Sequence, residues 1–371
     1  MADRLSYLDW NANAPVRPEA AAAVAQALTT EGNASSVHHG GRAVRRLVEA
    51  ARANVAKLVG ARPGEVVFTA GGTEANALAL RAFPDRRILV SALEHDSVLA
   101  NAPGAVRIPA MRDGLIDLSA LERLLAADKH PALVSLMFAN NETGAIQPVA
   151  EAAQIVHRHG ALLHCDAVQG AGRQSLDMRR LGCTLMTLSA HKLGGPMGVG
   201  ALVIAGGWDI APLTRGGGQE RGRRAGTENV PGIAGFGAAA SAALADAAAW
   251  ATVTALREEA ERRLAAIAGD AVIYAAAVPR LPNTLCISMP RVPAATQVMA
   301  LDLAGVMVSA GAACSSGKVR RSHVLDAMGV PEREAECAIR ISLGWRTTAA
   351  EINHLVEAWG ALYARTRVTA A

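Results

Sequence analysis

Between residues 45 and 205, short apolar runs alternate with helix-like segments, and this alternation limits the possible folds more than any other feature of the chain. Residues 65–69, 87–91, 132–138, 161–165, 185–188 and 199–204 read as strands, being short, apolar and bounded by turn residues. Residues 42–58 place apolar side chains at helical spacing, and helix-like pieces at 118–127 and 150–159 lie between several of the strands. Apolar strands joined by helices predict an α/β fold with a mostly parallel sheet covered on both faces. An Ala-rich helical stretch follows from Asn229-Val230-Pro231 to about Ala268. Strand-like pieces then recur at Ile273, 285–289, 306–309 and 339–342, before a last helix at 350–363. The expected division is a large domain over 16–246 and a smaller α+β domain made of 1–15 with 247–371.

A chain of 371 residues is long enough for this arrangement, and 51% apolar against 19% charged residues is a globular composition. The net charge of +4 is modest and the arginines alternate with acids, which does not point to nucleic acid. No apolar run is long enough to span a bilayer, and the start lacks the basic and apolar regions of a secretory signal. Five cysteines without framework spacing read as reduced thiols, so a cytoplasmic protein is expected.

In open α/β sheets, ligands bind beyond the carboxyl ends of the strands. After the first strand comes Gly71-Gly72-Thr73 at a helix start, and after the second Glu94-His95. Asn140-Asn141 follows the third, Asp166 and Gln169 the fourth, and Ser189, His191 and Lys192 the fifth. Lysine is rare here: Lys57, Lys129, Lys192 and Lys318 are the only ones among 37 basic residues. Arginine stays protonated, whereas a desolvated lysine loses its proton and forms an imine. The set suits a phosphorylated pyridine aldehyde. The Gly-rich helix start would hold the phosphate with help from Thr73, Ser189 and His191. Asp166 would pair with the pyridinium nitrogen, His95 would stack on the ring, and Lys192 would form the Schiff base.

The ordered motifs extend almost end to end. They are YLDWN at 7–11, GNASSVH at 32–38, FTAGGTE at 68–74, EH at 94–95 and NNETG at 140–144. DAVQ at 166–169, SAHK at 189–192, GGQER at 217–221, AGT at 225–227, SAGAACS at 309–315 and IRISL at 339–343 complete the set. In this order they resemble the cysteine desulfurases (NifS- and IscS-like) of the class V aminotransferase-like pyridoxal-phosphate enzymes, the subgroup serving iron–sulfur cluster assembly. The resemblance implies fold type I, with a mostly parallel seven-stranded sheet in the large domain, and a homodimer. It implies that Lys192 carries pyridoxal 5′-phosphate, that Gly72, Thr73, Ser189 and His191 bind its phosphate, and that Thr227 reaches in from the other subunit. Asp166 would pair with the ring nitrogen, Gln169 with the phenolic oxygen, and His95 would stack on the ring and relay protons. Asn141, Arg340 and Asn11 would hold the substrate L-cysteine. Cys314 would take its sulfur as a persulfide and pass it to a scaffold or other acceptor protein, with a transient ligand role toward a nascent cluster. A planar guanidinium such as that of Arg340 is itself suited to bidentate capture of a carboxylate.

Cys165, Cys286 and Cys337 lie in apolar strand- or helix-like runs, and Cys183 follows Leu181-Gly182; all four read as packing residues. Cys314 lies among small residues, with Lys318, Arg320 and Arg321 following, and nearby cations favour the thiolate. The same segment lacks P-loop spacing and the magnesium-binding hydroxyl, since Val319 stands there. His157, His159, His164 and Cys165 lack paired-ligand spacing, so no resident metal is expected. Three places depart from the family pattern: Ala12-Asn13-Ala14 stands for its usual Ala-Thr-Thr, Ala34 for Pro and Met197 for Lys. None removes a catalytic group, though Asn13 bears on how the substrate entrance is lined. The rival functions are a selenocysteine lyase or related C–S lyase, a class V aminotransferase, and a non-catalytic binding protein on this scaffold.

Overall fold

The computed structural model describes residues 5–311 and 321–368. Strands β1 (Ser6–Tyr7) to β8 run through β2 (Val66–Thr69), β3 (Arg87–Ser91), β4 (Val106–Ile108), β5 (Ala132–Ser135), β6 (Leu162–Asp166), β7 (Leu185–Ser189) and β8 (Gly200–Ile204). The later strands are β9 (Val272–Ile273), β10 (Thr284–Ser288), β11 (Val306–Met307), β12 (Ser309–Ala310) and β13 (Ala338–Ser342). Seven of them form one sheet in the order β2-β8-β7-β6-β5-β3-β4, and four form a second in the order β12-β13-β10-β9. β1 pairs in parallel with β11 and ties the N-terminal segment to the second half of the chain.

The large sheet is parallel except at β8, which runs antiparallel to both β7 and β2. Only ten residues separate β7 from β8, too few for the crossover that a parallel neighbour needs. Since β8 reverses twice, β2 points the same way as β7. The carboxyl ends of β2, β3, β5, β6 and β7 therefore share one edge. β4 is a three-residue edge strand with two exposed residues, and the apolar pattern gave no sign of it. Residues 132–138 are strand only to Ser135. Residues 306–309 divide between β11 and β12, which belong to different sheets.

The Ala-rich stretch is two helices, Val230–Ala245 and Ala249–Ile267, bent by 76°. At the break Asp246 accepts a hydrogen bond from Arg17, whose side chain is buried, at 2.5 Å. Small residues let Val230–Ala245 lie close against Pro18–Leu28 and His39–Leu58. A Cβ on Gly237 would stand 2.4 Å from the Ala51 Cα, so the crossing requires glycine. No single helix among the described residues is long and apolar enough to cross a membrane. The large sheet contributes to separate apolar clusters, one including Leu89, Val134 and Phe236 and another including Leu133, Leu185 and Leu202, while Ile287, Ile341 and Trp359 belong to a cluster of the second sheet.

One buried ion pair joins the helix His39–Leu58 to the 217–221 segment. Arg52 grips Glu220 with both terminal nitrogens, at 2.6 and 2.8 Å, and Glu220 also accepts from the Phe68 backbone N–H at 2.9 Å. Glu220 and Arg221 hold positive φ values of 46° and 58°, a region unfavourable to side chains with a Cβ. The pair offsets that cost. Arg52→Met leaves the Glu220 carboxylate buried without its cation, and is expected to lower the unfolding free energy by about 3–5 kcal/mol. Thermal or denaturant unfolding measures this, and a midpoint equal to the parent's would show that the pair does not hold the segment.

Candidate active site

The shared edge of the large sheet opens into a cavity of about 350 Å³. Asn11, Gly72, Thr73, His95, Asn141, Asp166, Gln169, Ser189, His191, Lys192 and Arg340 all line it. Lys192 ends a 3-10 turn, Ala190–Lys192, directly after β7, and its Nζ donates to the backbone oxygens of Asn11 at 2.6 Å and Ala12 at 2.8 Å. The amine is thus held at the mouth of the sheet by the N-terminal segment.

At the anion end, the helix Gly72–Arg81 begins against β7. A Cβ on Gly72 would stand 3.2 Å from Val168 Cγ2 and 3.4 Å from Ser189 Cβ, so the first turn of the helix sits flush on the strand ends. Gly200, at the start of β8, lies under this turn: a Cβ there would meet the Gly71 backbone at 2.6 Å. Two glycines on different elements therefore let backbone N–H groups and the helix dipole face the cavity. Ser189 Oγ lies 2.9 Å from His191 Nδ1. Burial, then the charges of Lys192 and Arg173, lower the His191 pKa to about 4, so the ring is uncharged at neutral pH among these neighbours. An arriving anion would favour its protonation.

Asp166 ends β6. Its Oδ1 accepts from the Val168 N–H at 3.0 Å and its Oδ2 from Asn76 Nδ2 at 2.8 Å. Asn76 also donates to Ser97 Oγ at 2.9 Å, and Ser97 Oγ lies 2.8 Å from His95 Nδ1. A continuous polar line thus joins the strand-end acid to the histidine. His95 caps the short helix Asp96–Leu99 by accepting the Ser97 N–H at Nδ1, 3.0 Å away. Beside it, Glu94 is fully buried, with one oxygen on the Met137 N–H at 2.6 Å and the other without a hydrogen-bond partner among the described residues. Burial, then the charge of Asp166, pushes the Glu94 carboxyl well above the usual range. Burial thus favours the protonated form of Glu94.

The second sheet contributes Arg340, on β13 and almost completely buried. Its Nη2 donates to Asp9 Oδ1 at 2.7 Å and its Nη1 to the Asn141 backbone oxygen at 3.2 Å. Each terminal nitrogen keeps a second N–H for a ligand carboxylate. Asn11 offers the cavity its backbone oxygen. Its side chain is spent on Asn141, Thr284 and Asn283 within the protein. Asn76, Arg173 and Asp9 were not singled out from the sequence. The one signal for Arg173 is that it follows Gln169 by four residues.

One expected residue stands apart from the cavity, and another cannot be placed against it. Thr227 is exposed and lines a separate cavity of about 100 Å³ with Phe68, Gly198 and Arg224. Cys314 lies outside the described residues, as do Lys318 and Arg320. Arg321 was expected to favour the Cys314 thiolate, yet it donates to Asp326 at 2.5 Å and pairs with Glu332 at 3.1 Å, so its charge is largely compensated. The other four cysteines are buried and form no disulfide among the described residues. The neighbouring Cys183 thiol and burial push Cys165 up, and burial pushes Cys286 and Cys337 up. His164 lies between Ser135 and Thr187, each at 2.9 Å, whereas His159 pairs with Glu122 at 2.8 Å. The histidines near Cys165 thus serve different local contacts.

Residues 6–355 match the family model of class V aminotransferases. A cysteine desulfurase of Cereibacter sphaeroides is 46% identical over 366 residues, covering 95% of this chain and 94% of the relative. The cysteine desulfurase IscS of Dictyoglomus turgidum is 38% identical, covering 95% of this chain and 92% of that protein. Among solved structures, a NifS-like protein from Rickettsia africae superposes with a TM-score of 0.91 at 36% identity, covering 97% of this chain and 99% of that one.

Proposed function

This chain belongs to the class V aminotransferases, and from that membership and the cavity we propose that it is a cysteine desulfurase using pyridoxal 5′-phosphate. It converts L-cysteine to L-alanine and passes the sulfur through Cys314 to an acceptor for iron–sulfur cluster assembly. The observation that carries the reading is the meeting of one amine, one strand-end acid and one glycine-lined helix start in a single cavity. The donor set fits the cofactor by its chemistry. The Gly72 turn, Thr73, Ser189 and His191 suit a phosphate, Asp166 a pyridinium nitrogen, Gln169 a phenolic oxygen and Lys192 an aldehyde carbon. Bound there, pyridoxal phosphate supplies an electron sink at the substrate Cα.

The chain supplies the rest. Arg340 and Asn141 hold the substrate carboxylate and so orient the Cα–H bond. The Lys192 amine takes the Cα proton, with the Asn11 and Ala12 carbonyls as its resting partners. Asp166 is held in place by the Val168 N–H and the Asn76 amide, while burial favours the protonated form of Glu94. The Cys314 thiolate attacks the substrate sulfur. The S–S bond forms, the C–S bond breaks with its electron pair on carbon, and protonation there completes alanine. Thr227 of a second copy completes the phosphate cradle in a homodimer. We place the enzyme in the cytoplasm, with the large domain over 16–246 and the small one over 1–15 with 247–371.

The test is product analysis. Purified protein given L-cysteine and a reductant should yield alanine and sulfide in equal amounts, with one added sulfur on the Cys314 peptide before reduction. 3-Mercaptopyruvate without sulfide would indicate an aminotransferase, and full activity only with selenocysteine would indicate a lyase of that kind.

A further inference from the structure

Arg173 is an anomaly behind this cavity, bonded to its lining residue Gln169. Its guanidinium is buried, yet no carboxylate among the described residues is ion-paired with it. It donates instead to four oxygens: the Gln169 backbone at 2.9 Å, the Gln169 side-chain Oε1, the Trp10 backbone at 3.3 Å and the Lys192 backbone at 3.2 Å. The chain is shaped to bring it there. After β6, Arg173 N and Gln174 N both bond the Gly170 oxygen at 3.0 Å, and Gly172 turns with φ of +74°, so Arg173 returns to the side of Gln169. A buried cation without an anion is costly, and such a group persists where something else uses its charge.

The contact also settles an orientation. Arginine only donates, so the Gln169 atom facing it is the oxygen, and the amide nitrogen faces the other way. That nitrogen donates one hydrogen to the Asn11 backbone oxygen at 3.1 Å and has a second for the cavity. We propose that Arg173 is a positioning residue. It fixes Gln169 as a donor toward the cavity and maintains a positive charge one amide away from the phenolic oxygen of the cofactor. This rests on the pyridoxal-phosphate reading above. The titratable groups lining the cavity are His95, Asp166, His191, Lys192 and Arg340, and Arg340 has its own partner in Asp9. Arg173 is thus a cation on the phenolic side free of a local counter-ion. A neighbouring positive charge stabilises a phenolate, so removing it raises the proton affinity of the cofactor–lysine chromophore. Burial, then the charge of Arg340, lowers the Arg173 pKa to about 9, which leaves it charged at neutral pH.

The experiment is a pH titration of the visible absorbance of the cofactor-bound protein. Arg173→Met and Arg173→Gln should each raise the midpoint by about one unit or more, and weaken cofactor binding. Arg173→Lys keeps a cation, and should hold the midpoint near the parent's while still weakening binding through loss of the fork. Arg173→Gln retains hydrogen bonding to the carbonyls, so it serves if the methionine variant does not fold. A midpoint unchanged in the neutral variants, with cofactor bound at the parent's stoichiometry, overturns the proposal and leaves the cofactor reading intact. A parent protein without a cofactor band overturns the cofactor reading itself.

Discussion

Lys192→Ala is expected to remove the visible absorbance of covalently held cofactor and to lower cysteine turnover by roughly 10³-fold or more. Two losses coincide in one atom. Among the described residues the Nζ is the one lysine amine lining the cavity, and it is the proposed base for the Cα proton. Among the described lining residues no other amine can form the imine: Arg340 is a guanidinium, and His95 and His191 are imidazoles. The protein should still fold, because the amine's partners, the Asn11 and Ala12 carbonyls, have other routes to solvation and Asn11 O also accepts from Gln169. Added pyridoxal phosphate should still bind through the Gly72 turn and Asp166, but reversibly and without the parent's spectrum. A visible spectrum and turnover equal to the parent's would sink the assignment of Lys192.

The order of polar residues at strand ends was legible because a parallel sheet sends every strand's carboxyl end to one edge. Gly72, His95, Asp166, Ser189 and Lys192 each stand within a few residues of such an end, so alternation of strands and helices alone brings them together. The direction of β8 was less legible, although the short interval after β7 carries that information. β4 could not be read, since three residues with an exposed edge leave no apolar pattern. Residues that support the lining groups from elsewhere in the chain were also hidden. Asn76 matters because its amide meets Asp166 across 90 residues, and Arg173 because its fork spans Trp10, Gln169 and Lys192. Such contacts exist only after the sheet has assembled. Arg340 stood out in the sequence as a candidate carboxylate ligand, but its pairing with Asp9, 331 residues away, did not.

Cys314→Ser should separate the two halves of the reaction. The variant keeps Lys192, Asp166 and Arg340, so adding L-cysteine should still change the spectrum of the bound cofactor. Sulfide released with a reductant should fall by at least about 10²-fold, because a serine hydroxyl is not ionised at neutral pH and cannot take over a sulfur-accepting step. The remaining thiols offer no bypass: Cys165, Cys183, Cys286 and Cys337 are buried, and none lines the cavity. Their burial makes the experiment discriminating, since any persulfide found after cysteine addition should map to the Cys314 peptide. If the variant released sulfide at the parent's rate, the C–S bond would be breaking without a protein thiol. The enzyme would then be a C–S lyase of the selenocysteine lyase kind, with Lys192 keeping its role and Cys314 having none.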